Sequence, residues 1–245
     1  MIMPKMKLTS LKTLLLVVGL AIPFGAVGRT LPLAANLVSL GSEQGARLLV
    51  DSEARQAYWP LSMQFVSQRT QTYCGVATIV MVLNALDVPA PTAAGIEPFT
   101  AFDQENFFNE RTEAVLPREV LAKIGMTLDQ IGGLLGTYGV KTEVRHAIDG
   151  GLDDFRTLAV RYLGTPGRYV IVNYFRRTIG QESGGHISPL AAYDADTDRF
   201  LILDVSRYKY PPVWVKAADL YSAMNTPDSD NGNRTRGYVL VAPGD

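Results

Sequence analysis

Gln68-Arg-Thr-Gln-Thr-Tyr-Cys74-Gly75-Val-Ala-Thr-Ile-Val-Met-Val-Leu-Asn-Ala-Leu86 joins a polar loop to an apolar helix. Val76, Ile79, Val80 and Leu83 recur at three and four residues, the spacing of one helix face, which predicts a helix from Cys74 to Leu86. The residues before it are polar and lack that period. The single cysteine of the chain therefore stands at a loop-to-helix junction. A helix N-terminus carries roughly half a positive charge, which favours thiolate over thiol. Gly75 puts no side chain beside the sulfur, so a substrate carbonyl has room to approach. A lone cysteine also fits the role of a small buried hydrophobe, and position alone leaves both readings open.

Outward from this helix, the first half of the mature chain reads as helical. Ser42 precedes a helical stretch through Ala46, Leu48, Leu49 and Val50. Pro117-Arg118-Glu119 starts another helix, with proline in the first turn. Thr127-Leu-Asp-Gln130 has the form of a capping box before a helix ending near Gly136. Leu152 to Leu163 is amphipathic at helical spacing. From Gly167 the pattern changes. Tyr169-Val-Ile-Val-Asn-Tyr-Phe175 is β-branched and aromatic, and similar runs follow at His186–Tyr193, Phe200–Val205, Val213–Lys216 and Gly237–Val241. Gly and Asp clusters separate them. Helices followed by strands predict an α+β domain, a helical N-terminal lobe and then an antiparallel sheet lobe.

The bulk numbers narrow the function. The chain has 245 residues, 47% hydrophobic and 19% charged, enough apolar mass for one globular domain. A formal net charge of −1, with no basic cluster, argues against a nucleic-acid partner. One cysteine and two histidines exclude an intrachain disulfide and a Cys-x-x-Cys metal site, and no protein metal ligand set or cofactor is expected. Lys5, Lys7 and Lys12, the uncharged run Leu14–Phe24, and the small residues Ala26-Val27-Gly28 have the pattern of a secretory signal peptide over residues 1–28. The run is short for a membrane span of roughly 20 apolar residues. The expected location is periplasmic or at the cell surface, or membrane-anchored if the segment stays uncleaved, and the domain is expected over residues 29–245.

Three further residues supply chemistry. In Gly184-Gly185-His186-Ile-Ser-Pro189 two glycines leave space around an imidazole at the start of a strand. Asp204 closes the apolar run Phe200-Leu-Ile-Leu203, and a buried carboxylate needs a partner. If the two strands pair as a hairpin, Asp204 can accept the imidazole N–H and fix its tautomer. A thiol nucleophile needs such a base, which later returns the proton to the leaving amine. Gln68, six residues before Cys74, can donate from its amide to the oxyanion of a tetrahedral intermediate. His146 has no comparable setting and reads as structural.

Gln68-x5-Cys74-Gly75-x-Ala77 with Val82-Leu-Asn-Ala-Leu86, Gly185-His186-Ile-Ser-Pro189, Leu203-Asp204-Val205, and Arg207-Tyr-Lys-Tyr-Pro-Pro-Val-Trp214-Val215 together resemble the catalytic domain of phytochelatin synthases, over roughly residues 30–242. The resemblance implies a papain-like cysteine protease fold. It implies cleavage of the Cys–Gly bond of glutathione through a γ-glutamylcysteinyl thioester, with the acyl group passed to water or to a second glutathione. It matches Cys74, His186 and Asp204 to the family triad and Gln68 to its oxyanion glutamine. It places Gly185, Arg207, Tyr210, Asp228 and Arg236 at or near the glutathione site, whose two carboxylates and one ammonium call for Arg and Asp partners. It further implies a homodimer, and heavy metal arriving only as a thiolate complex of the substrate. The chain looks like the short prokaryotic type, in which hydrolysis dominates. A papain-like peptidase of other specificity and an inert thiol- or metal-binding module are the alternative readings.

Overall fold

The computed structural model describes residues 30–244; the export signal expected over residues 1–28 lies outside them. Seven strands form one antiparallel sheet among the described residues: β1 (Val38–Ser39), β2 (Lys141–His146), β3 (Tyr169–Phe175), β4 (Gly185–Asp194), β5 (Arg199–Ile202), β6 (Val213–Lys216) and β7 (Gly237–Ala242), in the spatial order β1-β6-β5-β4-β3-β7-β2. β3 and β4 sit mid-sheet and are buried along nearly their whole length, which is why β3 reads as a nearly continuous apolar run rather than as alternation. Val170, Ile171 and Val172 pair with Leu190, Pro189 and Ser188. Full burial of each such Val, Ile or Leu contributes about 1.5–3 kcal/mol.

The helices are α1 (Glu43–Asp51), α2 (Tyr58–Met63), α3 (Cys74–Ala85), α4 (Glu110–Val115), α5 (Arg118–Ile124), α6 (Leu128–Gly136), α7 (Leu152–Leu163) and α8 (Ala217–Met224). α3 is buried from Cys74 to Leu83 on every side, the state expected of a helix that is apolar all round. It packs on β4, and Thr78 Oγ1 donates to the Ile187 carbonyl at 3.2 Å. The capping box at Thr127 and Gln130 forms in both directions.

Several elements depart from the sequence expectation. Lys141–His146 is a strand, paired with β7, inside the half read as helical; one face carries Lys141, Glu143 and Arg145, so no apolar alternation marks it. Pro117 is the N-cap of α5 rather than its first turn. β5 ends at Ile202, so Asp204 lies just past the strand, where Leu203 N–H still donates to the Pro189 carbonyl at 3.1 Å. β4 and β5 do pair as an antiparallel hairpin, with a register shift between Leu190 and Ala192.

Candidate active site

The start of α3 and the start of β4 meet in the interior. Cys74, His186 and Gly185 line one cavity of about 130 Å³, with Gln71, Thr72, Ile124, Gly125, Met126, Asn173, Asp228 and Arg236 around them. A larger open depression of about 760 Å³ lies among Phe102, Phe108 and Tyr138, but it holds neither the thiol nor an imidazole. Chemistry that uses a nucleophile and a base belongs to the smaller cavity.

His186 is held from behind. Its Nε2 lies 2.9 Å from Asp204 Oδ1 and 3.0 Å from Ser188 Oγ, with all three residues buried. An ionised carboxylate only accepts, so Nε2 carries the hydrogen and Nδ1 is left with the lone pair. Asp204 is shared: Arg176 Nη1 donates to Oδ2 at 2.8 Å and Nη2 to Oδ1 at 2.9 Å, and the Ser206 N–H donates to Oδ1 at 2.8 Å.

The glycines act differently from the sequence expectation. A Cβ on Gly75 would lie 2.2 Å from the Met126 sulfur, so Gly75 seats Met126 rather than clearing an approach. Gly184 holds φ +134, a region left to glycine. A Cβ on Gly185 would press the Arg236 guanidinium at 3.3 Å.

Burial opposes ionisation of both reacting groups. It pushes the Cys74 thiol up, against the pull of the Ile187 and Gly75 N–H groups and of the Arg176 charge. It pushes His186 down, and the nearby Arg176 and Lys209 charges add to that, outweighing the Asp204 carboxylate. Asp204 is buried too, yet the charges and hydrogen bonds of His186 and Arg176 hold it well below the usual carboxylate range. Burial thus works against the charged form of thiol and imidazole alike, while Asp204 is held ionised between them and Arg176. The thiolate expected from the helix end is opposed by desolvation of the buried thiol.

The other expected residues divide. Asp228 and Arg236 face the cavity as an ion pair at 3.3 Å, and Arg236 Nε is buried with no hydrogen-bond partner. Gln68 is buried beside the cluster, where Nε2 donates to the Thr70 carbonyl at 2.7 Å and Oε1 accepts from Ser206 Oγ at 2.7 Å. Gln68, Arg207 and Tyr210 do not line the cavity. Arg207 is exposed and lies over the Phe65 ring at 4.6 Å. The buried Tyr210 has its hydroxyl on the Glu182 N–H at 2.9 Å and its ring under Arg176 at 5.2 Å. His146 is buried away from the cavity, against the Thr235 carbonyl and Asp129 Oδ1, a structural place as read. Sequence reasoning missed Arg176, Ser188 and Asn173. Arg176, following directly on the buried strand Tyr169–Phe175, offered the one signal, a charge where the chain is still inside.

An α+β fold that brings a buried thiol and imidazole to one cavity, with a buried carboxylate behind the imidazole, defines a protein equipped for nucleophilic chemistry. The family model described as phytochelatin synthase matches residues 28–238, and the chain belongs to the phytochelatin synthase family. Among its relatives, glutathione gamma-glutamylcysteinyltransferase 3 of Lotus japonicus is 31% identical over 221 residues, 89% of this chain and 44% of the relative. Glutathione gamma-glutamylcysteinyltransferase 1 of Arabidopsis thaliana is 32% identical over 219 residues, 87% and 43% of the two chains. The glutathione gamma-glutamylcysteinyltransferase of Schizosaccharomyces pombe is 29% identical over 205 residues, 84% and 48%. The chain spans less than half the length of the curated relatives it matches.

Proposed function

We propose that this chain is a papain-like cysteine acyltransferase or hydrolase that cleaves the Cys–Gly bond of glutathione. The observation that carries the reading is the meeting of Cys74 and His186 at one cavity, with His186 Nε2 tied to Asp204 so that Nδ1 is free to act as base. The names of the relatives supply the substrate.

In this reading the Cys74 sulfur attacks the carbonyl carbon of the Cys–Gly peptide bond while its proton passes to His186 Nδ1. The electron pair of the C=O moves to oxygen, and in this reading the oxyanion takes the second N–H of Gln68 Nε2, the one not given to Thr70. Collapse of the tetrahedral intermediate breaks the C–N bond, and the imidazolium returns the proton to the departing glycine nitrogen. A γ-glutamylcysteinyl thioester is left on Cys74. Water, or the amine of a second glutathione, then attacks with His186 again as base. Because burial disfavours a free thiolate, proton transfer accompanies attack. Asp228 and the Arg236 guanidinium offer partners for an amino group and a carboxylate of the substrate. Heavy metal enters as a thiolate complex of the substrate, and the export segment directs the protein out of the cytoplasm.

Mass spectrometry of the products from glutathione, with and without cadmium, tests this. Glycine with γ-glutamylcysteine, or with (γ-glutamylcysteinyl)n-glycine, is expected; glutathione left intact in both conditions would refute it.

A further inference from the structure

We propose that Arg176 is a positioning residue of this site, its guanidinium forked across both oxygens of Asp204 so that Oδ1 is aimed at His186 Nε2. The proposal rests on the reading of Cys74 and His186 as nucleophile and base. A carboxylate bonded to one imidazole can swing about its Cβ–Cγ bond. One clamped by two parallel N–H bonds cannot, and only the planar guanidinium makes that clamp. Here the clamp is at 2.8 and 2.9 Å, with Asp204 fully buried and Arg176 4% exposed. The guanidinium is itself held, over the Tyr210 ring at 5.2 Å and against Gln181 Oε1. Arg176 does not line the cavity, which fits a residue that acts through Asp204.

Its charge has a second consequence. Around His186 stand Cys74 from α3, Tyr174 of β3, Arg176 in the turn after β3, Asp204 after β5, Lys209, and the Asp228–Arg236 pair across the cavity. Arg176 offsets Asp204, so the imidazole faces a neutralised carboxylate and stays a base rather than an imidazolium. Removing one buried cation raises the proton affinity of thiol and imidazole alike.

Arg176→Met and Arg176→Lys, made in the full chain, test this through the pH dependence of iodoacetamide alkylation of Cys74 and through kcat and KM for glycine release, with His186→Ala as control. Arg176→Met is expected to move the alkylation profile to higher pH and to lower kcat about 10-fold or more, with KM within about 2-fold. Arg176→Lys keeps the charge, so its profile should stay in place while kcat falls, because one ammonium cannot span both oxygens. A folded Arg176→Met with the wild-type profile and kcat overturns the proposal. If Arg176→Met does not fold, Arg176→Lys decides: wild-type kcat overturns it, and a lowered kcat at unchanged KM and profile supports it. An alkylation profile indifferent to His186→Ala would instead overturn the thiol–imidazole reading beneath it.

Discussion

Cys74 shows which of two opposed effects is larger. A helix end stabilises a charge by about 0.3–1 kcal/mol, and up to ~2 when partly buried, whereas burying an ion costs several kcal/mol. Burial wins, so the unliganded thiol titrates above its ordinary value. Iodoacetamide should therefore modify Cys74 more slowly than a model thiol at pH 7, with the rate climbing above the ordinary thiol range; labelling faster than the model thiol at pH 7 would contradict the burial argument. Arg236 carries a second prediction. Its Nε is a buried donor with no partner, beside a cavity it lines, and such a donor calls for a ligand. Arg236→Met should raise KM for glutathione about 10-fold or more and change kcat much less, read from steady-state glycine release; an unmoved KM would remove Arg236 from the substrate site. Cys74 and His186 were legible because each is scarce and each stands at an element boundary. Arg176 gave only a faint signal, because the pair Arg176-Arg177 after a strand reads as solvated until its partner, 28 residues on, is seen to fold against it.

At the scale of elements, the site depends on how closely the Ile124–Thr127 segment seats on the first turn of α3. Gly75→Ala puts a methyl into Met126, and such overpacking costs about 1–3 kcal/mol, more than the helix propensity gained near an N-terminus. Chemical denaturation should show that loss, and adding Met126→Ala should recover part of it; if Gly75→Ala is neutral, the seat is looser than the contact implies. The same scale explains what the sequence revealed of the fold. α7 and β3 were readable end to end, α7 because one helical face is apolar and β3 because a strand buried on both sides is continuously β-branched and aromatic. β2 was hidden because its outward side chains are charged and its inward ones are few. α8 opens on Ala-Ala directly after β6 with no side-chain cap to announce it. The run Phe200–Leu203 predicts Asp204 at a strand end, and the hairpin of β4 and β5 brings it beside His186.

For the whole molecule, the buried groups set a pH dependence of stability. His186 is held below its ordinary value. Between that value, about 6.5, and the lower folded one, the unfolded chain binds more protons, so stability falls as pH drops. Asp204 adds a loss of the same sign at lower pH: its contribution is complete above about pH 3.9, the ordinary aspartate value, and disappears as pH falls toward its depressed folded one. Cys74, raised, acts oppositely and costs stability as pH climbs past about 8.5. Thermal unfolding should show Tm falling from pH 7 to pH 5, and falling less in His186→Gln; equal slopes would mean His186 is not the group responsible. The same buried cluster is what would make the chain an enzyme, and the most direct test is the rate of glycine release from glutathione by wild type and by Cys74→Ala at equal concentration. Cys74→Ala should lose about 10³-fold or more of the rate while keeping the wild-type unfolding transition; a folded Cys74→Ala that releases glycine as fast as wild type would rule out Cys74 as the nucleophile.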